Sequence, residues 1–398
     1  MDINYLQRPD VRHFIEKNKN APVSTLALKK NPFPNFDYKE LINQIECSQK
    51  SKTKLPTWFK FTNCIYPSKV SLEQTSSEIT AKYKSEIISG QSLIDLTGGF
   101  GVDDYYFSKV FKNVTHCELN AELSKIVAHN FKLLGVTNCT FVNSDSLKTL
   151  TTLEQDFDWL FIDPSRRNDK KGKVFLLKDC LPDVPYLLND YFKYSNSILI
   201  KTAPILDIKA GLSELKFVKK IHILAVDNDV KEVLWEIEKN FDDKINIITK
   251  NFTKNNTEQF DFILGTSPNC DYALPRNYLY EPNSAIMKSG GFNQIGIQFG
   301  LKKIHQHSHL YTSNQIIPFP GRIFKINTRI MYTKNEMKTN LENKKSNVST
   351  RNFSETVENI RSKWKIKDGG NDYSFFTTDL NNNKIVLICT KIQLPNEN

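Results

Sequence analysis

The sequence predicts an α/β protein built on a doubly wound, mainly parallel sheet, with a helical segment before it and a smaller α+β portion after it. Three observations carry this expectation. Between Ser92 and about Ile248, short β-rich runs (SLIDL, NVTHCEL, CTFVNS, DWLFID, SILIKTA, KKIHILAV) alternate with helix-compatible stretches, as strands joined by crossover helices do. Four of the runs carry an acid at or within one residue of their ends, Asp95, Glu118, Asp145 and Asp163, at the carboxyl edge where open sheets of this kind bind ligands. The 398 residues exceed what a single core usually organises, so more than one domain is expected.

Composition narrows the class. A hydrophobic content of 39% suffices for globular cores, and the formal charge of +10 suits a polyanionic partner or simple solubility. Seven cysteines stand singly without a CxxC pair, which reads as reduced thiols in a cytoplasmic protein. The start MDINYLQRPDVRHFIEKNK lacks a signal-like apolar stretch, and no run reaches the roughly 18 apolar residues of a membrane span. No membrane association is expected.

Taken in order, residues 1–85 read as a mostly helical segment interrupted at Pro56 and Pro67. Residues 86–250 form the sheet domain. Residues 251–319 are a mixed linker or ferredoxin-like small domain, in which NYLYEPNSAIMKSGGFNQIGIQFGLKK predicts a helical hairpin turning at Gly290-Gly291. Residues 320–398 read as a separate α+β domain with a turn at Gly369-Gly370; its stretch NEMKTNLENKKSN lacks apolar periodicity and predicts a flexible loop.

The chemistry-bearing motif is SLIDLTGGFGVDDYYFSKV, where a strand runs through Asp95 into a turn containing Gly98, Gly99 and Gly101 and then into a helix. Glycine lets the backbone turn sharply and lets a ligand approach without a Cβ between them. Glu118 follows Gly101 by seventeen residues, close to the spacing at which an acid accepts hydrogen bonds from ribose hydroxyls. Isolated acids at strand ends are usually turn or cap residues; the succession of four outlines a ligand path instead. GGFGVDD lacks the GxGxxG pattern of a dinucleotide site, and Asp95, Asp103 and Asp104 would repel a pyrophosphate.

These residues resemble the first motif of class I S-adenosylmethionine-dependent methyltransferases, with Thr97 in place of that family's common first glycine. The resemblance implies a Rossmann-like methyltransferase sheet, S-adenosyl-L-methionine (SAM) as cofactor, Asp95, Thr97, Gly98, Gly99, Gly101, Glu118 and Asp145 around it, Glu118 on the ribose and Asp145 near the adenine amine. It also implies an acceptor-side motif at Asp163-Pro164-Ser165, with Asp163 as the leading catalytic candidate. LYEPNSAI, PFPGR and DPSRR are similar to bacterial members that carry a THUMP-like carboxyl-terminal domain.

The basic run after Asp163 (Arg166, Arg167, Lys170, Lys171, Lys173) reads as a grip on a polyanionic acceptor or as a solvated loop. Gln74, Ser77 and Lys84 read either as helix-capping and surface residues or as the lip of the site, with Lys84 a substrate-binding candidate. Cys180 is a poor nucleophile candidate, so methylation of an amine or hydroxyl is preferred to that of carbon. From Gly321 onward Lys and Arg number fourteen against eight acids, interleaved with aromatics such as Phe353 and Trp364, a mixture that can stack bases and neutralise phosphates. His305, His307 and His309 would share one face of a strand, yet no fourth ligand is evident and no metal is expected.

The function expected is a SAM-dependent methyltransferase acting on RNA, either tRNA or rRNA, at a base amine or hydroxyl. The alternatives are transfer to a protein or small molecule, and a SAM- or RNA-binding module without turnover.

Overall fold

The computed structural model describes residues 1–166, 176–266 and 268–393. The chain divides into two compact units, Met1–Lys220 with Glu232–Asp243, and Ile221–Lys231 with Lys244–Asn398.

The first unit opens with helices, among them Pro9–Asn18, Tyr38–Lys54 and Glu78–Ile87. Asp37 and Ser77 start the second and third by accepting backbone N–H groups with their side chains. Leu41, Ile45, Trp58 and Tyr66 form one buried cluster with Phe100, Val127 and Phe131, so the amino-terminal helices share a core with the segment that follows the glycine loop.

The strands then follow as β1 (Gly90–Asp95), β2 (Phe111–Cys117), β3 (Cys139–Val142), β4 (Trp159–Ile162), β5 (Ser165–Arg166), β6 (Cys180–Leu181), β7 (Ser197–Thr202), β8 (Val218–Val226) and β9 (Asp229–Glu238). The boundary between the units runs through β8 and β9. In the first unit, β3-β2-β1-β4-β7 are parallel neighbours and β9 lies antiparallel on β7. Helices Val102–Phe107, Ala121–Leu133, Ser146–Leu153 and Val184–Tyr191 join successive parallel strands. The strand centres are apolar on both faces, as a covered parallel sheet requires.

Register decides what meets at the carboxyl edge. Ile162 pairs with Ile200, so one step further Asp163 and Lys201 are neighbours. Lys201 pairs with Leu234, and Glu232, two residues from Leu234, shares its face.

In the second unit, β10 (Asn246–Phe252) and β11 (Thr257–Ile263) form a hairpin. A seven-stranded sheet follows, made of β12 (Tyr278–Pro282), β13 (Lys302–Lys303), β14 (Tyr311–Ser313), β15 (Gly321–Met331), β16 (Asn347–Arg351), β17 (Asp372–Thr378) and β18 (Lys384–Ile392). Its order is β13-β14-β12-β15-β18-β17-β16, antiparallel except for the parallel pair β16–β17.

Three local expectations are corrected here. The predicted helical hairpin begins with a strand, β12, and only then forms helices Ser284–Ser289 and Phe292–Gln298 around Gly290, whose φ of 75° is left-handed. NEMKTNLENKKSN is ordered as a helix, Lys334–Asn340, leading to β16: Thr333 caps it, and Met337 and Leu341 are fully buried, so two apolar anchors replace a periodic stripe. The three histidines do not align on a strand. His305 is held by Asn382 and Asn352, while His309 stacks on Phe292 at 3.6 Å. Among the described residues no group of three His, Cys, Asp or Glu is poised to hold a metal, and no helix is long and apolar enough to cross a membrane.

Candidate active site

The glycine turn is fixed from three sides. Asp95, 1% exposed at the end of β1, accepts from the Thr97 N–H (2.8 Å) and from the Thr97 hydroxyl (3.1 Å). That hydroxyl in turn accepts the backbone N–H of Asp163 at 2.7 Å, which ties the turn after β1 to the end of β4. A glycine at position 97 could not make this tie. Glu118, at the end of β2, accepts the Gly99 N–H at 2.9 Å on one oxygen and the Asn120 N–H at 2.7 Å on the other.

The three glycines serve different ends. A Cβ on Gly98 would stand 2.2 Å from the His116 ring, so that position exists for close packing. Gly101 has φ 72° and would drive a Cβ to 2.5 Å from Val127. Gly99 has φ 55°, and its Cβ would meet nothing nearer than the Thr97 carbonyl at 3.6 Å. Only Gly99 presents bare backbone to open space.

Beneath the turn, His116 Nδ1 lies 2.6 Å from Asp104, and both side chains are fully buried. Burial, and then the neighbouring Asp103, push the Asp104 carboxyl well up; burial, and then Asp104, do the same to Asp95. Burial pulls the His116 imidazole down. All three shifts favour the neutral forms.

Beside the turn lies a cluster of opposite charges. The Asp163 side chain, 35% exposed, is paired with Lys201, 8% exposed. Lys84, with no exposed side-chain surface, pairs with Glu232 and with Asp103 (3.1 Å) and donates to Ser76 (3.0 Å). This corrects the reading of Lys84 as a substrate contact: all three of its donors are spent inside the protein. Burial pulls Lys201 down, but Asp163, Glu232 and Asp103 outweigh it and the net shift is upward. Burial raises Asp163, with Lys201 opposing. The lysine therefore stays cationic.

Of the remaining candidates, Pro164 is buried and Ser165 is exposed, pairing with Leu181 in the β5–β6 ladder. Asp145 is exposed and caps helix Ser146–Leu153 through the N–H groups of Leu147 and Lys148. Ser77 caps Glu78–Ile87. Arg167, Lys170, Lys171 and Lys173 lie outside the described residues, as does the side chain of Arg166. Cys180 is buried.

Sequence reasoning missed Lys201, Glu232 and His116. The available signal was a lone lysine in the otherwise apolar SILIKTA and a glutamate among the apolar residues of EVLWEI. A buried charge needs a partner, but only strand register says which.

Comparison with known proteins adds two kinds of likeness. Residues 278–320 match a family model of a ferredoxin-like domain and residues 321–391 one that is THUMP domain-like. A crystal structure from Porphyromonas gingivalis W83, provisionally named a methyltransferase, superposes with a TM-score of 0.84 at 28% identity, over 96% of this chain and 98% of that one. An uncharacterised RNA methyltransferase of Clostridium acetobutylicum is 28% identical over 121 residues, 29% of this chain. The chain spans only 26% of that relative's length.

Proposed function

We propose, from the premise that this chain is a class I methyltransferase fold joined to ferredoxin-like and THUMP-like domains, that it transfers a methyl group from SAM to RNA. The observation that carries the reading is the Thr97 bridge, which locks the glycine turn after β1 to Asp163 at the end of β4. A cofactor-side loop and an acceptor-side carboxylate are thereby held in one fixed geometry, and positioning of that kind supplies much of the rate in group transfer.

The residues present fit SAM. Bare backbone at Gly99 faces open space. The Glu118 carboxylate, oriented by two N–H groups, retains lone pairs for ribose hydroxyls. Gly98, Gly101 and Asp95 shape the turn from behind, and Asp145 marks the adenine side of the edge. SAM would supply an electrophilic methyl group on a cationic sulfonium. Asp163 would accept a hydrogen bond from the acceptor group, with Pro164 and Ser165 next to it in the chain; Arg166 and Arg167, which follow in the sequence, are the candidate contacts to nucleic acid.

RNA is favoured by the basic carboxyl-terminal region and by the RNA methyltransferase relative. The test is transfer of labelled methyl from SAM into separated RNA, DNA and protein from cells lacking the gene. Label in RNA supports the reading; label confined to protein or small molecules overturns it.

A further inference from the structure

The charge cluster beside the glycine turn does more than fill space. Replacing a buried ion pair by apolar residues is often neutral or stabilising, so a cluster of this size is poorly explained as a device for stability. Lys84 is saturated by Ser76, Glu232 and Asp103. Lys201 has three N–H donors, and one of them goes to Asp163. Asp163 is the cluster's most exposed acid, at 35% against 4% for Glu232 and 11% for Asp103. The cluster therefore opens at one carboxylate acceptor, Asp163, with the Lys201 ammonium, only 8% exposed, directly bonded to it, and with Lys84 and Glu232 behind them.

An acceptor group must complement that pair. The exocyclic amine of a base is a donor whose lone pair is delocalised into the ring; it could serve Asp163, but Lys201 would face the nitrogen it needs for attack. A ring nitrogen without a proton, such as adenine N1, would leave Asp163 unserved, and Lys201 would occupy the pair that must attack; one with a proton, such as guanine N1, could serve Asp163 but, like the amine, has no free lone pair to accept from Lys201. A hydroxyl both donates and accepts. It can donate to Asp163, accept from Lys201 on one lone pair, and keep the other for the methyl group.

We propose that the acceptor atom is a hydroxyl oxygen, the ribose 2′-hydroxyl of RNA, gripped between Asp163 and Lys201. The inference rests on the RNA reading above and narrows it. In the step, a bond forms between the hydroxyl oxygen and the methyl carbon as the carbon–sulfur bond breaks, its electron pair remaining on sulfur. The hydroxyl proton passes to the Asp163 carboxylate and from there to water. Lys201 keeps its charge throughout and fixes the oxygen, and Glu232 and Lys84 are positioning residues behind it.

Alkaline hydrolysis separates the outcomes, because a 2′-O-methylated linkage cannot be cleaved by its own hydroxyl. RNA labelled by the full chain should yield its label in alkali-resistant dinucleotides. Label in alkali-released mononucleotides would overturn this inference and leave the RNA reading standing, whereas no label in RNA would overturn both. Lys201→Met should lower transfer by about 100-fold, the scale of one lost catalytic group, with calorimetric SAM affinity unchanged, and Lys201→Arg should recover part of it. Full transfer by Lys201→Met would also overturn the inference.

Discussion

Each unit buries a glutamate against a cation, and the two arrangements expose opposite partners. In the first unit Glu232 and its partner Lys84 are hidden, at 4% and 0%, and the cluster opens outward only at Asp163. In the second, Glu281 at 3% anchors Arg322 and Arg351, whose side chains remain 37% and 35% exposed. In the first arrangement Lys84 is spent on the hidden Glu232 and Asp103, and Lys201 holds the one carboxylate that reaches the surface. The second uses an acid to fix two guanidinium groups at the surface, where a fork of donors suits phosphate oxygens. The same ion-pair chemistry can thus present an acceptor or a donor, depending on which partner is buried more deeply.

The largest expected effect breaks the first arrangement. Lys84→Met strands Glu232 and Asp103 without their cation and should destabilise by about 3–5 kcal/mol, read as a fall in the urea midpoint. Arg351→Met leaves Glu281 paired with Arg322 and should cost about 1 kcal/mol, the scale of a partly exposed pair. Equal costs would remove the contrast.

Next in size are the glycines. Gly98→Ala must displace the His116 ring and should cost about 1–3 kcal/mol. Gly99→Ala makes only an ordinary contact with the Thr97 carbonyl at 3.6 Å and carries the left-handed strain of about 1 kcal/mol; thermal unfolding of both proteins ranks them.

A third contrast is in pH. Asp95 and Asp104 hold their protons above the usual carboxylate range, so the stability they lend is complete below that range and is lost as pH rises through their raised values. His309 behaves oppositely. Burial first, then Lys303, His307 and Arg351, pull it from 6.5 to about 4, so its contribution is present above 6.5 and lost as pH falls toward 4. Asp104→Asn should flatten the alkaline side of a stability profile and His309→Leu the acid side. Melting curves over a pH series that show the reverse assignment would refute it.

The smallest effect expected is that of Glu118→Gln, which weakens the acceptor for two N–H groups and for ribose. SAM binding should fall by about 1 kcal/mol, one charge-assisted hydrogen bond, in calorimetry.

Much of the sheet and the glycine turn was legible because each strand is a short apolar run ending in a polar residue, and Asp163 stood out at such an end. Lys201 and Glu232 were not legible: their meeting depends on the pairing of β7 with β4 and β9, and a one-residue slip would send each to the other face. Lys84 misled because a lysine on a short polar helix normally faces water, and only tertiary packing covers this one. Helix Lys334–Asn340 was missed because its burial rests on single residues at Met337 and Leu341, too few to make a period.

The most direct measurement compares wild type with Asp163→Asn in the full chain, taking calorimetric SAM affinity and single-turnover methyl transfer to RNA together. Affinity should stay within about twofold while transfer falls by at least about 100-fold. Undiminished transfer, or a loss confined to SAM affinity, would contradict the assignment of Asp163 to the acceptor side.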